Sequence, residues 1–153
     1  MLTDGGIYLG KRGEFKRFDI QDGLGMGLLR RAGIQLGWVS SRPSTATKQR
    51  AEDLKVDFLH QSRGPKVAAV EAILSRAGVD WAELAYAGDD LVDLGVMVRA
   101  GVALAVSNAA PEVCRAAHYV TRRPGGGGAI REMAELILKA QKRWGPLVAE
   151  YSA

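Results

Sequence analysis

Cysteine is nearly absent from this sequence. Cys114 stands alone, so no disulfide joins two parts of the chain, and a reducing compartment, the cytoplasm, is the expected location. Long apolar runs are missing too. None approaches the roughly 18 residues of a membrane-spanning helix, and nothing reads as a signal peptide, so no membrane partner is expected. Aromatic residues make up 7% of the chain, and no basic tract is interleaved with them. That argues against nucleic acid as a partner, although 21 basic against 17 acidic residues leave a net charge of +4. The same positive charge suits an anionic small substrate. There is no internal repeat and no linker, and the single low-complexity stretch is "GGGG" at 125–128. One domain over residues 1–153 is therefore expected.

What is present alternates. Residues 6–20, "GIYLGKRGEFKRFDI", read as a hairpin turning at 10–13. Residues 22–33 read as a glycine-weakened helix that stops at Gly33. Strands are expected at 34–40, 56–61, 83–88, 102–107 and 118–121. Helices are expected at 43–55, 64–78, 89–101 and 110–117, with a long closing helix at 128–144. Short connections between alternating strands and helices predict an α/β fold: a mostly parallel, Rossmann-like sheet with helices on both faces, and a protruding hairpin. Ligands of such sheets bind at the carboxyl ends of the strands.

The chemistry is gathered at those ends. "WVSSRPS" offers Ser40, Ser41 and Arg42; "LHQSRGPK" leads to Lys66; "YAGDDLVD" puts Asp89 and Asp90 after a strand and Asp93 a turn later. Hydroxyl and ammonium donors suit a phosphate, and clustered carboxylates suit a hard cation such as Mg2+. Each piece also has a plainer reading. A serine at 40 or 41 caps the next helix, Lys66 sits in solvent, and Asp89 and Asp90 are first-turn acids favoured by a helix dipole. The combination at successive strand ends points to a site.

In these motifs the chain resembles the haloacid dehalogenase superfamily, and within it the capless phosphatases similar to 3-deoxy-D-manno-octulosonate 8-phosphate phosphatase. "LTDGGIYLG" resembles the family's entry to its hairpin, "FDIQDGLGM" its F-x-x-x-D-G segment, "AGDDLVDLGVM" its fourth motif and "TRRPGGGGAIRE" its glycine-rich signature. Ser40 matches the second motif, with Ser41 where members usually have Gly, and Lys66 matches the third-motif lysine. Gly127 stands where members often carry a basic residue.

The resemblance implies a Mg2+-dependent phosphatase for a phosphorylated acidic sugar. Asp89 and Asp90 would serve the metal. Ser40 and the Ser41 amide would bind phosphate, Lys66 would neutralise it, and Asp93 would orient Lys66. Arg42, Gly126 and Gly127 would meet the sugar-acid end. It further implies a homotetramer built on hairpin 6–20, with the 125–128 loop near a neighbour. In the family "LTDG" ends a longer D-x-D-G-V-L-T-D-G motif whose first two acids are nucleophile and general acid/base. Asp4 matches the later "TDG" acid, so these residues are expected to be inactive alone and to lack the first, central strand, between those at 34–39 and 84–87. The other reading is a non-catalytic assembly module, since similar domains occur fused behind nucleotide-sugar synthetases.

Overall fold

The structure, a computed structural model, describes residues 1–11 and 13–152. Arg12, in the expected hairpin turn, and Ala153 lie outside them. Strands β1 (Tyr8–Gly10) and β2 (Gly13–Phe15) pair antiparallel, with Leu9 opposite Glu14. The hairpin is shorter than expected. Asp19 takes the amides of Gln21 and Asp22 at 2.7 and 3.3 Å and so starts helix α1 (Ile20–Arg31). Ile20 therefore opens a helix instead of closing a strand, because the Asp19 carboxylate satisfies first-turn amides that no helical carbonyl reaches.

Strand β3 (Gly37–Ser40), helix α2 (Thr45–Asp53), strand β4 (Phe58–Gln61) and helix α3 (Lys66–Ala77) follow. After a 3-10 turn at Trp81–Glu83 comes strand β5 (Ala85–Gly88). A second such turn, Leu91–Asp93, leads into helix α4 (Leu94–Met97), so the helix expected at 89–101 is much shorter. Then come β6 (Val102–Ala105), α5 (Pro111–Ala116), β7 (Tyr119–Val120), α6 (Ala129–Ala140) and α7 (Trp144–Ala149). The closing helix expected at 128–144 is thus broken: Lys142 takes a left-handed φ of 57°, and the Trp144 ring folds back beneath Arg131 and Lys139.

The ladders are parallel apart from the hairpin. β3 pairs with β4, bringing Ser40 opposite Gln61, and β5, β6 and β7 form a second sheet in that order. Among the described residues no ladder joins β3 to β5. Leu2 packs against the cluster of Met26, Trp38 and Ala51, while Met1 packs against Leu104, Val106, Ala129 and Met133. The first two residues thus touch core on both sides of that break. β6 shows why helices cover both faces of its sheet. Alternate residues point oppositely, so Leu104 and Val106 meet Ala129 and Met133 of α6, while Ala103 and Ala105 meet Met97 and Val113 of α4 and α5. Among the described residues no helix is long and apolar enough to cross a membrane.

Helices α1 and α6 are locked by a buried acid. Asp22, 1% exposed, accepts the Arg131 amide at 2.8 Å through Oδ1, and its Oδ2 has no partner among the described residues. Burial pushes this carboxyl above its ordinary value, against the pull of the Arg131 amide. A raised carboxyl contributes stability that is complete below its unfolded value, about 3.9, and is lost as pH rises through the folded value. Asp22→Asn should therefore gain on the parent in melting temperature as pH rises from about 4 to about 7. A difference that is flat with pH would contradict this.

Candidate active site

Gly88 ends β5, and the chain must turn sharply there. A Cβ at this position would lie 2.7 Å from both Asp93 Cβ and Met97 Sδ, so a side chain at 88 would push Asp93 away. With glycine in place, Asp93 folds back under the strand end. Its Oδ2 accepts the Asp89 and Asp90 amides at 3.2 and 3.3 Å. Its Oδ1 accepts Lys66 Nζ at 2.6 Å and the Tyr86 hydroxyl at 2.5 Å. Lys66 begins α3, so this one carboxylate ties the end of β5 to the helix that follows β4.

The pair is shielded. Lys66 is 11% exposed and Asp93 1%, so Lys66 is not a solvated surface lysine. Burial alone would raise the Asp93 carboxyl, but the Lys66 charge, its hydrogen bond, the Tyr86 hydroxyl and the Asp89 amide together hold it below its ordinary value. Burial, and then the Asp93 charge, push the Tyr86 phenol far up, so it stays a donor. Removing one partner of a buried pair leaves the other charge uncompensated, which costs about 3–5 kcal/mol. Asp93→Asn should lower stability in urea denaturation by an amount of that size, and Lys66→Met with Asp93→Leu should recover much of it. Equal losses in the single and double variants would contradict the pairing.

Asp89 faces outward from the same turn. Its backbone carbonyl accepts the Ala110 amide at 2.9 Å, and its Oδ2 lies 2.5 Å from the Met1 nitrogen. Asp90 does something else: it caps the 3-10 turn, accepting the Leu91 amide at 2.7 Å. Among the described residues no three acidic, His or Cys side chains converge as a metal cluster. With Asp93 spent on Lys66 and Asp90 on its cap, Asp89, 38% exposed, is the strand-end carboxylate that could hold a hard cation in place of the Met1 nitrogen. An oxygen donor of this kind fits Mg2+, which keeps most of its water when one or two carboxylates bind it.

Ser40, Ser41 and Arg42 lie at the end of β3. Neither serine caps α2; Ser44 does, accepting the Thr47 amide at 3.2 Å. Ser40 Oγ accepts the Arg42 amide at 3.2 Å and donates to the Arg42 carbonyl at 2.9 Å, which curls residues 40–42 into a tight loop. Arg42 pairs with Glu14 of the hairpin at 2.5 Å. No hydrogen bond among the described residues links this loop to Lys66.

The 125–128 loop is packed against its own chain. Gly126 has φ +68°, and a Cβ there would lie 2.4 Å from the Asp4 backbone nitrogen. Its amide donates to the Met1 carbonyl at 3.0 Å. The close approach that glycine permits here is to residues 1–4, where the sequence pointed to a ligand or a second chain. At Gly127 a Cβ would meet the Pro124 ring at 3.2 Å. Sequence reasoning passed over Tyr86, since an aromatic residue in an apolar strand carries no mark that separates a hydrogen-bond donor from core.

A profile of haloacid dehalogenase-like hydrolases matches residues 61–132. The 3-deoxy-D-manno-octulosonate 8-phosphate phosphatase of Yersinia pestis is 38% identical over 144 residues, 94% of this chain and 77% of that protein. The chain belongs to the haloacid dehalogenase-like hydrolases. Two solved structures of the family bear on its site. The Moraxella catarrhalis 3-deoxy-D-manno-octulosonate 8-phosphate phosphatase, in complex with magnesium ion, phosphate ion and KDO, superimposes with a TM-score of 0.95 at 36% identity. That match covers 99% of this chain and 87% of the other. The cobalt-bound deoxy-D-mannose-octulosonate 8-phosphate phosphatase of Haemophilus influenzae gives 0.89 at 37% identity, over 93% of this chain and 84% of that one. For this haloacid dehalogenase-like hydrolase, the profile spans Lys66, Asp89, Asp90, Asp93 and the glycine loop. Ser40, Ser41 and Arg42 precede it.

Proposed function

We propose that this protein binds and dephosphorylates a phosphorylated acidic sugar of the 3-deoxy-D-manno-octulosonate 8-phosphate kind, with Mg2+. The observation that carries this is the shielded Lys66–Asp93 pair beside an outward-facing Asp89 at the strand ends. The names and bound groups of the relatives at 36–38% identity support the same substrate class. Asp89 would hold Mg2+, which when bound supplies positive charge to the phosphate. Lys66, fixed by Asp93 and Tyr86, neutralises a phosphate oxygen. The Ser40 hydroxyl and the Ser41 amide donate to other oxygens. Asp90 braces the turn that carries Asp89. Arg42 and the Gly126–Gly127 segment meet the sugar-acid end.

The 153 residues contain no D-x-D-G, so a carboxylate nucleophile and its acid/base partner would have to stand in front of β1. The working form would be a homotetramer. Ile7, Tyr8, Leu9 and Phe15 of the hairpin are exposed, Leu9 at 79%, which is more apolar surface than a two-stranded hairpin leaves in water. Isothermal titration with 3-deoxy-D-manno-octulosonate 8-phosphate and Mg2+ tests the binding half of this reading. Binding that Lys66→Ala weakens is expected; no binding by the parent would reject it.

A further inference from the structure

Residues 14–17 lead from β2 towards α1, and they reach loops on two sides. Glu14 is 17% exposed. Its Oε2 accepts Arg42 Nη2 at 2.5 Å and its Oε1 accepts the Ser44 hydroxyl at 2.7 Å. Lys16 Nζ lies 3.5 Å from Glu14 and donates to Oγ1 of buried Thr47 at 2.9 Å. Arg17 turns the other way and donates to the Gly126 carbonyl at 3.0 Å. One strand end therefore grips both the 40–44 loop and the 125–128 loop.

Arg42 is 54% exposed, and an ion pair that open to water contributes little to stability. Direction is the larger effect. A free arginine side chain samples many rotamers, a freedom it loses when it grips a ligand. Glu14, anchored by Ser44 and Lys16, removes that freedom beforehand. A guanidinium has five N–H donors, so those not turned to Glu14 remain for a second carboxylate.

We propose that the return strand of the hairpin is a positioning element for substrate: Glu14 aims Arg42, and Arg17 holds the Gly126 carbonyl, so that both loops meet the carboxylate end of an acidic sugar in one geometry. This rests on the reading above, in which Arg42 and the glycine loop take that end. Glu14 acts through Arg42 and does not itself touch the sugar.

Calorimetric titration of 3-deoxy-D-manno-octulosonate, and separately of inorganic phosphate, each with Mg2+, tests it. Glu14→Gln should weaken sugar-acid binding about tenfold, the scale of one charge-assisted hydrogen bond. Phosphate binding should not change, and Glu14→Asp should restore part of the loss. Glu14→Gln with Arg42→Gln should bind no worse than Arg42→Gln alone, because the two act through one group. Should Glu14→Gln not fold, Arg17→Gln, at an exposed residue, repeats the test on the other loop, with a loss of about threefold or more expected. If the parent binds the sugar acid and the Glu14 variants match it, or if the two losses add in full, this inference alone fails. If the parent binds no sugar acid, the proposed substrate class fails and the inference with it.

Discussion

Phosphate release from 3-deoxy-D-manno-octulosonate 8-phosphate should be undetectable with the 153-residue chain and should appear once a D-x-D-G segment is joined ahead of Leu2. The reason lies in how the acids near the site are occupied. Asp93 is buried against Lys66 and Tyr86, Asp90 caps the 3-10 turn, and Asp4 holds the Gly6 amide at 2.8 Å. Asp89, proposed above to hold the cation, is not free to attack phosphorus. Losing a nucleophile from a catalytic set costs on the order of 10^6 in rate, so the joined protein should exceed the short one by several powers of ten. In the joined protein Lys66→Ala should lower the rate by about 10^2–10^3, as loss of one preorganised charge at the transition state does. The measurement is released inorganic phosphate with and without Mg2+. A Mg2+-dependent rate in the short chain that Asp89→Ala abolishes would show that another carboxylate here attacks phosphorus. A silent joined protein that still assembles would favour the assembly-module reading.

In light scattering at micromolar concentration the parent should have the mass of a homotetramer, and Leu9→Asp with Phe15→Asp should have that of a monomer. These two side chains are 79% and 60% exposed and stand on neighbouring strands of the hairpin. Covering a large apolar side chain contributes about 1.5–3 kcal/mol, and four copies would cover each of them at once. A carboxylate in the same place must be stripped of water without a partner, which costs several kcal/mol per ion. The effect on association should therefore be all or none. A monomeric parent, unchanged by the two substitutions, would remove the assembly from the proposal. The positioning role of Glu14 would stand, because its partners lie in its own chain.

The order of the elements was legible because alternation and the helix stop at Gly33 are local signals. Boundaries failed where the deciding contact was less obvious. Ile20 reads as strand, yet it is 80% exposed and begins a helix because Asp19 caps it. The break between α6 and α7 falls on Lys142, which takes a left-handed φ with no glycine to announce it. In the candidate site, the sequence put Lys66, Asp89 and Asp93 after neighbouring strands, and the structure joins Lys66 and the Asp89 amide on the one Asp93 carboxylate. Glu14 could not, since Arg42 and Ser44 lie 28 and 30 residues away. Asp22 meets Arg131 across 109 residues, a pairing no spacing rule reaches.

The break between the two parallel sheets bears on how the protein behaves as a material. β3 and β5 each have a ladder neighbour on one side only, so each presents a row of amides and carbonyls that no strand among the described residues takes up. Such rows template the addition of any extended polypeptide, and natural sheets blunt them with charge, proline or a covering segment. Trp38, Val39, Tyr86 and Ala87 bring neither charge nor proline to those rows, and Met1 and Leu2 cover them only in part. For these 153 residues by themselves, colloidal stability therefore depends on whatever extended segment docks alongside these two strands. A short peptide of strand-forming sequence supplied in excess is a rational additive for keeping the protein in solution.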